Sequence, residues 1–425
     1  MGGESIRGKP HLLVIMMYWY PYEGPIPAIY AALFERLLKE GYRISLIASF
    51  PHYRFGRRER WAEFRRRVFE CTDWNGINLY RVWVFAPEFR SARLSLFFRS
   101  LNYLSFSLMA LLVGLAVSRR TDIILVPSSP PLLGGVVAGV LGKLRGIPFV
   151  YNVQDLYPDN LAALGVVRNT VVLRLLDRIE RRVYRAARWV VPISSEMKDA
   201  ICRKGISGRK VVTIPNFHDT ERIMPMPRQN AFSAIHGLNG RFVVSYIGGV
   251  SYTHGLEFVI EAASMLTSVS EVRFVIIGRG EYLERIKQKA EQKDLGNVLF
   301  FPEVPYQVVN EVWAASDASL VCLVRGASTY QVPSKTFGIM ASGRPVIAMV
   351  DEGSEIWRIV EESGGGVCVP PECPEKLARA IRWLYENPEQ AARMGRNGRK
   401  YVVCNYSKEH IAALYDALLI SALRG

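Results

Sequence analysis

A chain of 425 residues is too long for one ordinary hydrophobic core, so two domains are expected. Its 49% hydrophobic and 22% charged residues, with no low-complexity tract and no internal repeat, exclude a disordered or fibrous protein. The net charge of +15 is one-sided: residues 1–220 hold 32 Lys and Arg against 17 Asp and Glu, whereas 221–425 hold 22 of each. The basic half suits anionic partners such as nucleic acid, anionic lipid or phosphorylated substrates, or it serves solubility alone.

In chain order, "HLLVIMMYW" from His11 reads as a buried first strand. Its apolar run is short, stops at Pro21 and has no small-residue cleavage site, so it is not read as a signal peptide. An amphipathic helix over 28–40 closes at Gly41, and "RISLIAS" is the next strand. "DIILVPS", "IPFVYNVQD" and "RWVVPIS" continue the rhythm. Buried strands alternating with helices predict an α/β fold with a parallel sheet covered on both faces. The pattern restarts at "RFVVSYIGG", a helix over 255–266, "EVRFVIIGRG", "NVLFF", "ASLVCLV" and "RPVIAMV". The expected domains are 1–218, completed by a C-terminal helix over 408–425, and 239–407, joined by a Pro-rich linker over 219–238. Two Rossmann-like domains facing each other across a cleft would bind ligands beyond the carboxyl ends of their strands. The cysteines, Cys71, Cys202, Cys322, Cys368, Cys373 and Cys404, form no zinc spacing and read as buried thiols of a reducing compartment.

The stretch "VPSKTFGIMASGRPVIA" over 332–348 places Lys335 at the mouth of a helix. Ser334 is expected to cap that helix, and its first turn would then offer unpaired N–H groups to an anion. A lysine is ill placed beside a positive dipole end unless a phosphate sits there; a solvated surface lysine serves equally well on physical grounds. "YIGGV" carries Gly248 and Gly249, and "IIGRGEYL" carries Arg279, both at strand ends where backbone amides can approach phosphate. Each is weak alone, because glycine also ends strands for steric reasons. Together the three turns suggest a diphosphate.

These pieces, with "YNVQDLYPDNLAALGV", "IPNF" and "GLEFVIEAA", resemble the group 1 (family 4) retaining glycosyltransferases of GT-B fold, in the branch that builds colanic acid, capsule and O-antigen. The resemblance covers nearly the whole chain and is most specific over 151–165 and 332–348. It implies a metal-independent hexosyltransferase or N-acetylhexosaminyl-type transferase with a nucleotide-sugar donor, UDP-sugar favoured over GDP-sugar, and no cofactor. Carried over by position, Gly248, Gly249, Ser334 and Lys335 bind donor phosphates, and Arg279 and Glu355 are further donor-site candidates. Two glutamates common in the family, the second holding the donor ribose, are Tyr330 and Gly338 here; a family Arg and Lys are Gly249 and His254. Absence of an Asp-Xaa-Asp motif agrees with metal independence.

Asp155, after a buried strand, is the catalytic candidate, to orient or deprotonate an acceptor hydroxyl; a turn-capping carboxylate is the alternative, and Asp159 is the weaker candidate. Glu23, Gly24 and His52 are acceptor-side candidates, each with a structural alternative. Within the run 93–120 the apolar portion, Leu101 to Val117, is barely long enough to cross a bilayer, contains Asn102, Ser105 and Ser107, and lies between strands of one sheet, so the run is read as a helix partly exposed at a membrane surface, with a buried core helix as the alternative. Arg57, Arg58, Arg60, Arg65, Arg66, Arg67 and Arg99, interleaved with Phe97 and Phe98, suit an anionic lipid interface or a lipid diphosphate. The same composition could bind RNA, but no nucleic-acid module appears. The expected activity is extension of a polyprenyl-diphosphate-linked saccharide at the cytoplasmic face of the inner membrane, by a peripheral or monotopic enzyme. The rival readings are a non-catalytic GT-B scaffold and a nucleotide-sugar epimerase or hydrolase.

Overall fold

The computed structural model describes residues 9–21, 25–52, 64, 67–86, 92–163, 167–305 and 307–424. The chain forms two compact units, 1–215 with 411–425, and 216–410. In the first, β1 (His11–Ile15), α1 (Pro25–Lys39), β2 (Arg43–Ser49), β3 (Phe69–Trp74), β4 (Ile77–Val82) and α2 (Ala92–Val117) precede β5 (Ile123–Pro127). Then come α3 (Leu133–Arg145), β6 (Phe149–Val153), α4 (Asp159–Ala163), α5 (Thr170–Ala186), β7 (Trp189–Pro192) and α6 (Ser195–Arg203). The strands order as β3-β4-β2-β1-β5-β6-β7. All pairs are parallel except β3 with β4.

That antiparallel hairpin departs from the expected all-parallel sheet. Its two-residue loop is Asn75-Gly76, both at positive φ, as a type I′ turn requires. The Asn-Gly pair between "FECTDW" and "INLYRV" was the sequence signal for it.

In the second unit, α7 (Ala231–Ile235), β8 (Phe242–Ile247), α8 (Leu256–Ser264), β9 (Val272–Ile277), α9 (Leu283–Gln292), β10 (Val298–Phe301) and α10 (Val309–Ala314) precede β11 (Ala318–Cys322). They are followed by α11 (Lys335–Ala341), β12 (Val346–Met349), α12 (Glu355–Ser363), β13 (Gly366–Val369), α13 (Pro374–Glu386), α14 (Pro388–Asn405) and α15 (Lys408–Leu423). The parallel sheet orders as β10-β9-β8-β11-β12-β13. Residues 219–238 belong to this unit: Arg228 pairs with Asp317, and Asn230 caps α7 with its side chain. Most of α15 instead joins the first unit, where Asp416 accepts from Lys9 Nζ at 2.6 Å and Tyr42 Oη at 2.7 Å.

Both sheets reverse their winding once, between β1 and β5 and between β8 and β11. Crevices outside the carboxyl ends of strands at such reversals are where open α/β sheets hold ligands. The core strands β1, β5, β6, β11 and β12 are buried along their length apart from the first residue of β1, which is why they read as continuous apolar runs.

Candidate functional site

In the second unit the chain leaves β8 at its carboxyl end through Gly248, whose φ of 141° suits glycine alone. A side chain there would also lie 2.9 Å from Lys335 Nζ. The predicted turn and the predicted lysine are therefore brought together. Lys335 Nζ is buried, has no hydrogen-bond partner among the described residues, and stands 3.6 Å from the centre of the Tyr246 ring. A cation over a ring face gains about 0.5–2 kcal/mol, well short of its lost hydration. Burial accordingly draws its pKa down to about 7.

The neighbours add no negative charge. Burial pushes the Cys322 thiol up to about 12, so it stays protonated even beside Lys335. Burial and the Lys335 charge hold His254 down at about 3. The N–H of Ser251 donates to His254 Nδ1 at 3.2 Å, which leaves the imidazole proton on Nε2. Tyr246 Oη donates to the Gly249 carbonyl at 2.6 Å and fixes the turn. The result is a buried cation that pairs with no carboxylate among the described residues.

The other donor-side expectations fare differently. Ser334 does not cap α11: it has helical φ and ψ and makes no side-chain capping bond. The Thr336 hydroxyl donates to the Pro333 carbonyl instead, and α11 is a single short element of seven residues. Gly278 and Gly280 are required by packing between turns, since a Cβ on them would lie 1.8 Å from the Gly248 carbonyl oxygen and 1.9 Å from that of Val250. The steric reading of that Gly-x-Gly turn is thereby sufficient. The Arg279 side chain is half exposed and pairs with Glu303 at 2.9 Å. Glu355 opens α12 and pairs with Arg358 at 2.8 Å. Gly338 sits against Trp313, whose ring would be 2.3 Å from a Cβ, so indole fills the place of a longer side chain.

In the first unit Asp155 stands two residues beyond β6, at the carboxyl edge of the sheet. Its side chain is exposed, yet the surrounding protein raises its carboxyl to about 6. The carboxylate is open to a ligand. A polar network missed by the sequence reading lies beneath it. Tyr30 Oη donates to Asn152 Oδ1 at 2.6 Å, Asn152 Nδ2 donates to the Val191 carbonyl at 2.8 Å, and Gln154 Nε2 reaches the same Asn152 oxygen. Asp159 is taken up elsewhere, in a network with Lys204 and the buried Glu180.

His52 is buried beyond β2, near the Phe50 carbonyl at 3.2 Å and beside Tyr18. Three strand spacings separate β2 from β6, so it lies about 14 Å from the Asp155 loop. Glu23, Gly24, Arg57, Arg58, Arg60, Arg65 and Arg66 lie outside the described residues. Arg67 pairs with Glu70 at 2.5 Å and covers the Phe64 ring. Phe97 and Arg99 are exposed on α2 and Phe98 is half-buried.

The helix α2 buries Asn102, Phe106 and Ala110, and it packs on β2, β4 and α3. Its outer face exposes Phe97, Leu104, Leu108 and Leu112 at near-helical spacing. The helical run Phe97–Arg120, made of α2 and the short turn that follows it, is long and apolar enough to cross a membrane by length and composition. Among the described residues no group of three or more His, Cys, Asp or Glu side chains could hold a metal ion.

The chain matches the family "Glycosyl transferases group 1" over residues 228–401 and the "Glycosyl transferase 4-like domain" over 26–216. It is 30% identical over 308 residues to the probable glycosyltransferase WbjE of Pseudomonas aeruginosa, covering 71% of this chain and 76% of that protein. It is 26% identical over 381 residues to the putative colanic acid biosynthesis glycosyl transferase WcaI of Escherichia coli K12, covering 87% and 91%. Among solved structures it superposes on HepE of Anabaena in complex with UDP-glucose with a TM-score of 0.70, at 16% identity, over 97% of this chain and 100% of that one.

Proposed function

Because the chain belongs to the group 1 glycosyltransferases and has their GT-B fold, we propose that it moves a sugar, with retention of configuration, from a UDP-sugar to a saccharide on a polyprenyl diphosphate in cell-surface polysaccharide synthesis. The observation that carries the donor half is Lys335, a buried ammonium with no anion, set against the Gly248 turn at a sheet reversal. A diphosphate supplies the missing charge, and Lys335 with the turn amides then stabilises it as a leaving group with no metal required. Uridine is favoured because HepE, of the same fold, holds UDP-glucose. Polysaccharide synthesis is the setting named for WcaI.

In transfer, the acceptor oxygen bonds to the anomeric carbon as the bond to the diphosphate breaks. Asp155 orients that acceptor hydroxyl and takes its proton. The exposed apolar ridge of α2, on a basic unit, supports work at the cytoplasmic face of a membrane, where a lipid-linked acceptor is found. The test is transfer from radiolabelled UDP-sugars and GDP-sugars to polyprenyl-diphosphate saccharides, with wild type and Asp155→Asn. Transfer from a UDP-sugar, lost in Asp155→Asn while its melting temperature still rises with UDP, is the expected result. Hydrolysis or epimerisation without an acceptor, or no response to any nucleotide, would overturn it.

A further inference from the structure

A second basic site lies in the first unit, at the opposite edge of its sheet from Asp155. The amino ends of β6 and β7, the C-terminal part of α3, the turn at 208–210 and the last residues of α15 border an open hollow of about 890 Å³. Lys143, Arg188, Arg209 and Lys210 line it, and no carboxylate among the described residues does. The side chains of Lys143, Arg188 and Arg209 make no ion pair among the described residues, and Lys210 Nζ donates only to the Arg185 carbonyl. The indole N–H of Trp189, a residue also in the lining, is buried without a partner among the described residues. Lys143, Arg188 and Arg209 are solvent-exposed and Lys210 is half-buried, and burial together with the nearby Arg188 charge lowers the Lys210 pKa. An anion seated among them would be attracted to all four.

Room for that anion is built in. Gly139 leaves its nearest neighbour, the Phe149 ring, 4.0 Å from where a Cβ would stand, and Gly146 at φ 69° has nothing within 4 Å. The walls are otherwise apolar: Ile147, Phe149, Ala422 and Leu423. On the adjoining face of α3, Val136, Val140 and Leu144 are exposed, and α3 packs beside α2 with its own ridge of leucines. Six residues along β6 separate this edge from Asp155, roughly 20 Å.

We propose that this cavity binds a phosphate-bearing ligand at a site separate from the donor and acceptor positions. The apolar walls and the ridges beside it fit the phosphate headgroup of an anionic lipid, with the chains lying along α3 and α2. This rests in part on the membrane reading above; the anion site itself does not. Occupied by a lipid, the cavity orients the first unit on the bilayer and leaves the carboxyl edge with Asp155 free for substrate.

The test uses the full chain in three forms. The first is wild type. The second is the pocket triple Lys143→Glu, Arg188→Glu and Arg209→Glu. The third is a control triple Lys376→Glu, Arg379→Glu and Arg382→Glu, exposed on α13 with the same charge change. Co-sedimentation is measured with phosphatidylcholine vesicles and with vesicles containing phosphatidylglycerol. Thermal shift is measured with pyrophosphate and glycerol phosphate. A lipid site predicts about a hundredfold weaker binding of the pocket triple to the anionic vesicles, with the control triple within about threefold of wild type. Gly139→Leu, which fills the cavity without changing charge, should weaken binding at least fivefold.

A soluble-anion site predicts instead that pyrophosphate or glycerol phosphate stabilises wild type but not the pocket triple, with vesicle binding alike in all forms. Equal behaviour of the pocket and control triples in every arm overturns the proposal. UDP stabilisation retained in the pocket triple keeps the donor reading distinct, and loss of UDP binding in wild type would sink that reading without touching this one.

Discussion

The orphaned ammonium of Lys335 makes a prediction with an unusual sign. Burial opposes the charge and holds its pKa at about 7, against 10.5 for an ordinary lysine. The folded state therefore binds fewer protons than the unfolded state between about pH 7 and 10.5. Stability should rise with pH across that window, and the charging cost is fully present below pH 7. The shift corresponds to a cost on the order of 5 kcal/mol at low pH, about 1.4 kcal/mol for each pH unit. Replacing Lys335 by Met removes the charge and keeps the bulk, so it should raise the melting temperature by several degrees at pH 6 and by little at pH 10. The same variant should lose its response to UDP. A diphosphate holds Lys335 charged, so binding at pH 8 should take up about 0.9 proton, nine-tenths of the lysines being neutral beforehand. The nucleotide phosphate, with a pKa near 6, is already dianionic there. Calorimetry in buffers of different ionisation enthalpy measures that uptake directly. Affinity should fall nearly tenfold for each pH unit above about 7.5. No proton uptake at pH 8, or a Lys335→Met variant that is destabilised and still binds UDP, refutes the reasoning.

Three further outcomes follow from named contacts. Gly338→Glu drives a side chain into the Trp313 ring and should destabilise the second unit by about 1–3 kcal/mol in urea melts, with Trp313→Ala partly restoring it. Lys204→Met leaves Glu180 buried without its cation and should cost about 3–5 kcal/mol at pH 8. Burial already raises the Glu180 pKa to about 7, so that variant should regain stability as pH falls toward 5, and Glu180→Gln should suppress the effect. Leu104→Ser, Leu108→Ser and Leu112→Ser together remove exposed apolar surface only, so vesicle binding should drop at least tenfold while the melting temperature changes by less than about 2 °C.

Periodicity made the two parallel sheets legible, because strands buried on both faces carry apolar residues at every position. It failed at β3 and β4, whose exposed alternation is weaker than the Asn-Gly signal between them. Gly248 and Lys335 could be singled out separately from their local patterns. What surrounds the ammonium could not be. Tyr246, His254 and Cys322 come from β8, the turn after it and β11, and their joint effect exists only once the strands pair. The same holds for Asn152, Gln154 and Tyr30 beneath Asp155. Ser334 shows the opposite failure: a good capping residue in sequence was displaced when its backbone continued the helical conformation.

On the function proposed above, with a nucleotide held in the second half and anionic lipid met by the first, the uneven charge of the chain would separate the two contacts by range. Residues 221–425 carry no net charge, so they cannot steer a nucleotide from a distance, and the donor must be held by the local field of one buried cation and its turn. Burial shields that contact from added salt, whose screening length is about 8 Å at physiological strength. On the proposed reading the first half would meet a membrane through exposed arginines and lysines, each screened readily. Raising NaCl from 50 to 300 mM should therefore weaken binding to anionic vesicles by tenfold or more, yet change the Kd for UDP less than about threefold. The comparison is internal, on one preparation of one chain. Equal salt sensitivity of the two would mean that the nucleotide is held by exposed side chains such as Arg279, and that Lys335 is not its principal partner.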